Sequence, residues 1–389
     1  MPDERRMSQL DGLRALAVLA VFVQHWGGGL PDFVRRTGAA GSLGVQLFFV
    51  LSGFLITGIL LRARNRRETL GQGTFFTIKQ FYIRRFLRIF PLYYAFLIVL
   101  GALGLAGMAT AYVGVTRPFW WHALYLTNVY VVHHNGFPPV TGHFWTLAVE
   151  EQFYIVWPWL VLLLPGRWLK AALATTVVLC LGYRLIGIGQ GWGALAISRL
   201  TPSCLNSLGG GALLAYFVES SGLTGTRWRR PLGWLAAAGL PCMIGGYVLG
   251  WPDKTGLGAA LLEGIGVPTV LGWVVVRAAE GFSGVIGGAL SARPMVYLGR
   301  ISYGLYVIHF IVPGMWGMLS EHVVHIPEVL RTGVIGFGLY GVTAVVLASL
   351  SWRYFESPLN RLKKRFPYQQ PQPAAARVEA GEAAARMAA

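Results

Sequence analysis

The sequence predicts an all-α membrane protein, a bundle of about ten transmembrane helices with both termini cytoplasmic. Three observations lead there. The 389 residues are 54% hydrophobic and only 13% charged, with a mean hydropathy of +0.54, against about 25% charged residues in an ordinary soluble domain. The apolar residues gather in runs of roughly 20, the length of a bilayer-spanning helix. The net charge of +17, from 33 Lys and Arg against 16 Asp and Glu, falls on alternate connecting segments, as the positive-inside rule requires of a multi-pass chain. This composition excludes a soluble globular domain and a disulfide scaffold. It also makes the bilayer, and not nucleic acid, the partner that the basic excess addresses.

The predicted spans, in order, are Leu10–Trp26, Gly44–Leu61, Phe90–Met108, Phe144–Leu164, Leu169–Ile188, Ser203–Val218, Leu232–Gly250, Gly258–Val276, Ile301–Leu319 and Thr332–Trp352. The fourth and sixth are the least apolar. The first follows a short start with Arg5 and Arg6 and has no A-x-A cleavage site, so it reads as a retained helix. The stretch Phe75–Ile89 sets Lys79, Arg84, Arg85 and Arg88 among aromatic residues and reads as a separate interfacial helix. With the N-terminus inside and strict alternation, 25 of the 33 cations fall on cytoplasmic segments and six on external ones, while Arg14 and Arg184 lie within spans. Residues 366–389 are rich in Gln, Pro and Ala and read as a disordered cytoplasmic tail. Cys180, Cys204 and Cys242 form no CxxC pair and predict neither a disulfide framework nor a zinc site.

Ionisable residues inside spans are costly and point to function. Here they are Arg14, His25, Glu150, Glu151, Arg184, Glu263 and His309. At about 1.5 Å rise per residue, Arg14 lies roughly 6 Å in from the cytoplasmic end of the first span and His25 roughly 22 Å in. Glu150 and Glu151 lie roughly 9–11 Å below the outer end of the fourth. His25 and one of these acids are therefore expected at similar depth, as a general-base pair in which the carboxylate orients the imidazole. Bland alternatives stand beside this. His25, next to Trp26, can anchor the interface; Glu150 and Glu151 can pair with Arg184; Arg14 can snorkel to headgroups; His309 can be a packing residue.

The basic segment Arg62–Arg88 holds eight cations and one acid, Glu68. It reads either as topology and anionic-lipid binding or as a grip on a polyphosphorylated cytosolic ligand, with Arg84, Arg85 and Arg88 close on one helix. The external residues His122, His133, His134 and His143 match no metal-ligand spacing, and no metal is expected. A Walker A loop and a G-x-S-x-G elbow are absent from the sequence.

Six segments together resemble the acyltransferase-3 family of integral membrane O-acyltransferases. LDGLRALAVLAVFVQHW carries Arg14, ten residues and then His25, an R-x10-H pattern. LGVQLFFVLSGFLITGILL is similar to the family's second span, FYIRRFLRIFPLYY to its Arg-rich entry into the third, and HFWTLAVEEQFYIVWPWL to its FWSLxVExQFY segment, with Glu150 at the key acid. ISYGLYVIHF supplies Ser302, Tyr303 and His309, and WRYFESPLNRL supplies Glu356 and Pro358. The segment TPSCLNSLGGGALLA departs from the pattern, with Cys204 and Asn206 where an acidic residue is expected.

The resemblance implies a transmembrane acyltransferase domain over residues 1–365 in the bacterial cytoplasmic (inner) membrane. It implies transfer from cytosolic acyl-CoA, chiefly acetyl-CoA, to a hydroxyl of a surface polysaccharide, lipopolysaccharide, lipid-linked sugar or small molecule. No bound cofactor is expected; acetyl-CoA is a substrate. His25 and Glu150 are the expected catalytic residues. Arg14, Arg84, Arg85 and Arg88 are the expected donor-binding set. Glu151, Arg184, Ser302, Tyr303 and His309 are expected on the acceptor side or in support. The competing readings are a secondary transporter of an anionic solute using the same His, Glu and Arg, and a non-catalytic membrane anchor.

Overall fold

The computed structural model describes residues 4–30, 39–71, 73–107, 118–221, 229–250 and 256–368. The predicted tail from residue 369 onward lies outside them. The described residues contain helices and no strand. Ten elements carry the architecture: α1 Glu4–Trp26, α2 Ala39–Leu70, α3 Thr74–Leu105, α4 Trp145–Leu163, α5 Gly166–Gly189, α6 Thr201–Ser221, α7 Arg229–Gly250, α8 Leu257–Glu280, a bent α9 and α10 Gly333–Ser351. The two limbs of α9, Arg293–Arg300 and Ser302–His322, meet at 59°. A helix stands at each predicted apolar stretch.

Among the described residues, six helices (α2, α3, α5, α7, α8 and α10) are long and apolar enough to cross a membrane, and α9 is a seventh if its limbs form one span. The remaining three, α1, α4 and α6, fall short of that apolarity for a physical reason. α1 and α6 are largely interior, and α4 buries the face that carries Glu151 while exposing Ile155, Val156 and Leu163 on the other. In α1 the residues Leu13, Ala15, Ala17, Val18, Val21 and Phe22 are all buried against neighbours. In α7 and α10, Trp234, Leu235, Val248, Val334, Val342 and Val346 stand exposed instead, the pattern of lipid-facing surfaces. Interior helices can carry Asp11, Arg14, Gln24, His25, Glu150 and Glu151 because those side chains meet protein and cavities in place of hydrocarbon.

Two expectations need correction. Phe75–Ile89 is not a separate interfacial helix but the first half of α3, which continues through Pro91 to Leu105. It is amphipathic as predicted, exposing Phe75, Lys79 and Phe86 and burying Thr77, Ile78 and Phe81. A single proline removes one backbone donor, and a packed membrane helix tolerates that. The basic segment is likewise not a loop: α2 runs nine residues past the predicted Leu61 to Leu70, and α3 starts at Thr74.

The bundle is drawn tight by glycines. A Cβ on Gly53 would overlap the Leu208 carbonyl, and one on Gly211 the Val50 carbonyl, so α2 and α6 cross with their backbones in contact. Small residues permit such approaches between membrane helices. Gly53→Ala is expected to push the helices apart at a cost of about 1–3 kcal/mol, measured as a lower melting temperature of the detergent-solubilised protein; Gly28→Ala, where a Cβ meets open space, is the control.

Candidate active site

His25 lies in the last turn of α1, and the residue is exposed. Its hydrogen-bond partner is not a carboxylate. His25 Nδ1 lies 2.9 Å from Nε2 of His309, and His309 Nδ1 lies 2.7 Å from the carbonyl oxygen of Tyr306. A carbonyl can only accept, so in the neutral ring His309 Nδ1 carries the hydrogen and Nε2 the lone pair. His25 must then donate through Nδ1, and its own Nε2 is left as the open, basic nitrogen. His309 is fully buried and sits in a 3-10 turn, His309–Ile311, within α9. Pro313 explains the turn: it has no N–H to return to the His309 carbonyl four residues earlier, and Val312 bonds that carbonyl instead. A third ring, His143, lies 4.8 Å from His309 centre to centre and is anchored through Nε2 to the Val307 carbonyl at 3.3 Å.

Glu150 occupies a different place. It accepts a hydrogen bond of 2.9 Å from the Tyr154 hydroxyl, which is itself bonded to Ser52. Glu150 lines an inner cavity of about 240 Å³ together with Arg14, Arg85, Arg88, Glu151, Ser302 and Tyr303. His25 lines an outer cavity of about 340 Å³ with Gln24, Gln46, His143, Arg184, Arg199 and Glu263. Val45 and Tyr306 line both. The expected His25–Glu150 pair is therefore not formed. Depth along the bundle was estimated from sequence, but azimuth was not, and Tyr306 stands between the two cavities. It is held there by donation to the His143 carbonyl at 3.0 Å and by the Thr146 hydroxyl at 2.6 Å.

The donor set divides. Arg14 is paired with Asp11 at 2.5 Å and faces the inner cavity with Arg85 and Arg88. Arg84 does not: it donates to the carbonyls of Lys363 and Phe366 at 2.7 and 3.1 Å and lies over the Tyr368 ring. It ties α3 to the segment that follows α10. Other cations of the basic segment also have structural partners. Arg64 donates to the carbonyls of Val161 and Leu164, and Arg67 to that of Leu162, which satisfies the open C-terminal carbonyls of α4. Arg62 is paired with Glu219.

The supporting residues divide too. Glu151, Ser302 and Tyr303 line the inner cavity and not the outer one; Tyr303 donates to the Ile89 carbonyl at 2.7 Å, and Glu151 is buried with Oε1 unpartnered. Arg184 and His309 belong to the outer side. Arg184 does not pair with Glu150 or Glu151; it donates to the carbonyls of Ser203 and Ala260 at 2.9 and 3.4 Å. Asn206, at the departure from the family pattern, donates to the Gly264 carbonyl and so joins α6 to α8. Sequence reasoning missed Arg199, counted only as an external cation, and the partition residue Tyr306. Neither carries a local signal, since both matter through what the fold sets beside them.

The external histidines gather no metal site; among the described residues no group of three His, Cys, Asp or Glu side chains is arranged to hold an ion. His122 is buried between the hydroxyls of Thr127 and Thr141, at 2.8 and 2.9 Å. Burial disfavours its charged form and pushes its pKa down to about 4.

Comparison with known proteins bears on this site. The model of the acyltransferase-3 family, described as an acyltransferase domain, matches residues 7–353. The peptidoglycan O-acetyltransferase OatA of Listeria monocytogenes is 27% identical over 377 residues, covering 92% of this chain and 56% of that protein. The putative peptidoglycan O-acetyltransferase YrhL of Bacillus subtilis is 27% identical over 390 residues, covering 92% and 55%. A putative O-acetyltransferase of Staphylococcus aureus is 33% identical over 163 residues, covering 40% and 24%. The chain thus spans about half the length of the first two relatives or less of the third. No solved structure matches it. With nearly the whole helical bundle covered by one model, and with apolar helices long enough to span a bilayer, this multi-pass membrane chain belongs to the acyltransferase-3 family.

Proposed function

We propose that the protein is a membrane O-acetyltransferase that takes the acetyl group from cytosolic acetyl-CoA and places it on a hydroxyl of a glycan beyond the membrane. The observation that carries the reading is the His25–His309 pair, which leaves His25 Nε2 as an open base in the outer cavity, directly above an arginine-lined inner cavity. The O-acetyltransferase relatives support the acetyl group and a glycan acceptor. Family membership gives no support to the transporter reading.

The two cavities divide the work. Arg85 and Arg88, with Arg14, attract the phosphates of the donor from the cytoplasmic side. Ten residues of α1 separate Arg14 from His25, an eleven-step rise of about 16 Å of helix, a distance on the scale of an extended pantetheine arm. The thioester end of that arm passes Val45 and Tyr306 to meet the acceptor. His25 Nε2 takes the proton of the acceptor hydroxyl as its oxygen bonds to the thioester carbonyl carbon. The carbon–sulfur bond then breaks, and the CoA thiolate leaves with the proton held by His25. His309 plays the part that a carboxylate plays in a catalytic triad, fixing the tautomer and orientation of the base. Glu150 supplies the counter-charge of the inner cavity. The ten helices are all spans, with both termini on the cytoplasmic face of the bacterial inner membrane, as the side-to-side imbalance of Lys and Arg supports.

The reading is tested with purified protein, radiolabelled acetyl-CoA and envelope glycan fractions. Label in the glycan supports it, whereas solute uptake into proteoliposomes without label transfer overturns it. Within the donor set the structure separates neighbours. Arg85→Ala and Arg88→Ala are expected to raise the KM for acetyl-CoA about tenfold, the scale of a lost charge-assisted hydrogen bond, with kcat little changed. Arg84→Ala is expected to leave that KM unchanged and to lower thermal stability, because its guanidinium holds backbone carbonyls outside the cavity. Steady-state kinetics over acetyl-CoA concentration distinguishes the three.

A further inference from the structure

We propose that Arg199, supported by Arg184, makes the outer cavity selective for an acceptor bearing an anionic group, a sugar carboxylate or a phosphodiester, beside the hydroxyl that is acylated. This rests on the reading of the outer cavity as the acceptor site.

Arg199 ends the short helix Ala194–Arg199. Its guanidinium lies 4.5 Å from the centre of the Trp145 ring and 5.9 Å from that of Phe137. Among the described residues it has no hydrogen-bond or ion-pair partner, and its buried Nε is unsatisfied. Stacking on an aromatic face holds a guanidinium in place without consuming its N–H donors. The edge of Arg199 is therefore preorganised and, among the described residues, unpaired in the cavity that contains His25. Arg184 is fixed differently, buried at 7% exposure with its donors on two backbone carbonyls. Those carbonyls engage its two terminal nitrogens, leave its Nε unpartnered and do not cancel its charge.

The chemistry of the lining gives the ligand class. Among the described residues two guanidinium groups and one carboxylate, Glu263, line this cavity, so the unpaired edge of Arg199 favours an anion over a neutral group. The planar or tetrahedral oxyanion of such an acceptor matches the fork of N–H donors that a guanidinium presents. Gln24, Gln46 and Ser42 line the same space and suit the remaining hydroxyls of a sugar.

The test is a binding measurement on the full chain in nanodiscs, without acetyl-CoA, so that it stands apart from acetyl transfer. The probes are N-acetylmuramic acid, which carries a carboxylate, N-acetylglucosamine 1-(methyl phosphate), which carries a phosphodiester, and neutral N-acetylglucosamine. The wild-type protein is expected to bind one of the charged sugars about tenfold or more tightly than the neutral one, and which one identifies the source of the anion. Arg199→Gln is expected to erase that preference while changing the neutral sugar less than about twofold. Arg199→Lys, which keeps the charge but loses the fork, is expected to retain part of it. Equal wild-type affinity for all three sugars overturns the proposal without reference to any variant. So does an Arg199→Gln protein of wild-type melting temperature that weakens charged and neutral sugars alike. If acetyl transfer fails while the charged preference holds, the reading of the reaction fails and the anion site stands.

Discussion

His25→Ala is expected to lower acetyl transfer by about 10²–10⁴-fold, the range over which a positioned general base contributes, while protein level and membrane insertion persist. The loss falls on kcat. The KM for acetyl-CoA is expected to stay near wild type, because Arg85 and Arg88, the residues proposed to hold the donor's phosphates, line the other cavity. The decisive measurement is a steady-state comparison of purified wild type and variant with radiolabelled acetyl-CoA. Unchanged transfer would remove His25 from the mechanism. Incubation without acceptor adds a second readout: a general base leaves the protein unlabelled, and stable label on wild type but not on His25→Ala would make His25 an acyl carrier instead.

The second large effect belongs to His309. Its buried ring sets the tautomer of His25 through a chain that ends on the Tyr306 carbonyl. His309→Phe keeps a planar aromatic ring, somewhat larger than imidazole, and removes both nitrogens, so His25 Nδ1 loses its acceptor and the imidazole loses its fixed orientation. The expected loss in kcat is about 10²–10⁴-fold, by analogy with the loss on disturbing the orienting residue of a serine-protease triad. His309→Gln can accept from His25 Nδ1 through its amide oxygen and is expected to recover part of the rate. A residue of purely structural importance would show the opposite order, with the bulky aromatic replacement better tolerated than the polar one. Glu150→Gln provides the contrast. If Glu150 oriented His25, the amide would be as damaging as His309→Phe. Placed in the inner cavity with Tyr154, it is expected to alter donor affinity more than kcat.

The family and the positions of the apolar helices were legible in the chain because they depend on local composition. An apolar run of about 20 residues is a span wherever it lies, and the R-x10-H spacing puts Arg14 and His25 on one helix at calculable depths. The same arithmetic places Glu150 near the level of His25 and stops there. Whether two side chains on different helices meet depends on helix rotation, on crossing angle and on what fills the gap. Here Tyr306 fills it. The resemblance did bring His309 into the supporting set, but no spacing rule says that a residue 284 positions away accepts from His25.

The basic segment teaches the same lesson at finer scale. Arg84 and Arg85 are adjacent, and sequence gives no ground for separating them. Their side chains leave the helix about 100° apart, so one reaches the carbonyls of Lys363 and Phe366 while the other lines the inner cavity.

By itself, then, the sequence determined a membrane bundle, its candidate spans, the clustering of its cations on certain connecting segments and a short set of ionisable residues within apolar helices, all of which follow from hydropathy and charge counted along one chain. The tertiary structure decided which of those residues share a cavity, that His309 and not Glu150 orients His25, and that Arg199 faces the same space. The physical reason is that hydrogen bonding and desolvation act over a few ångströms between helices, and only the packed bundle fixes those distances.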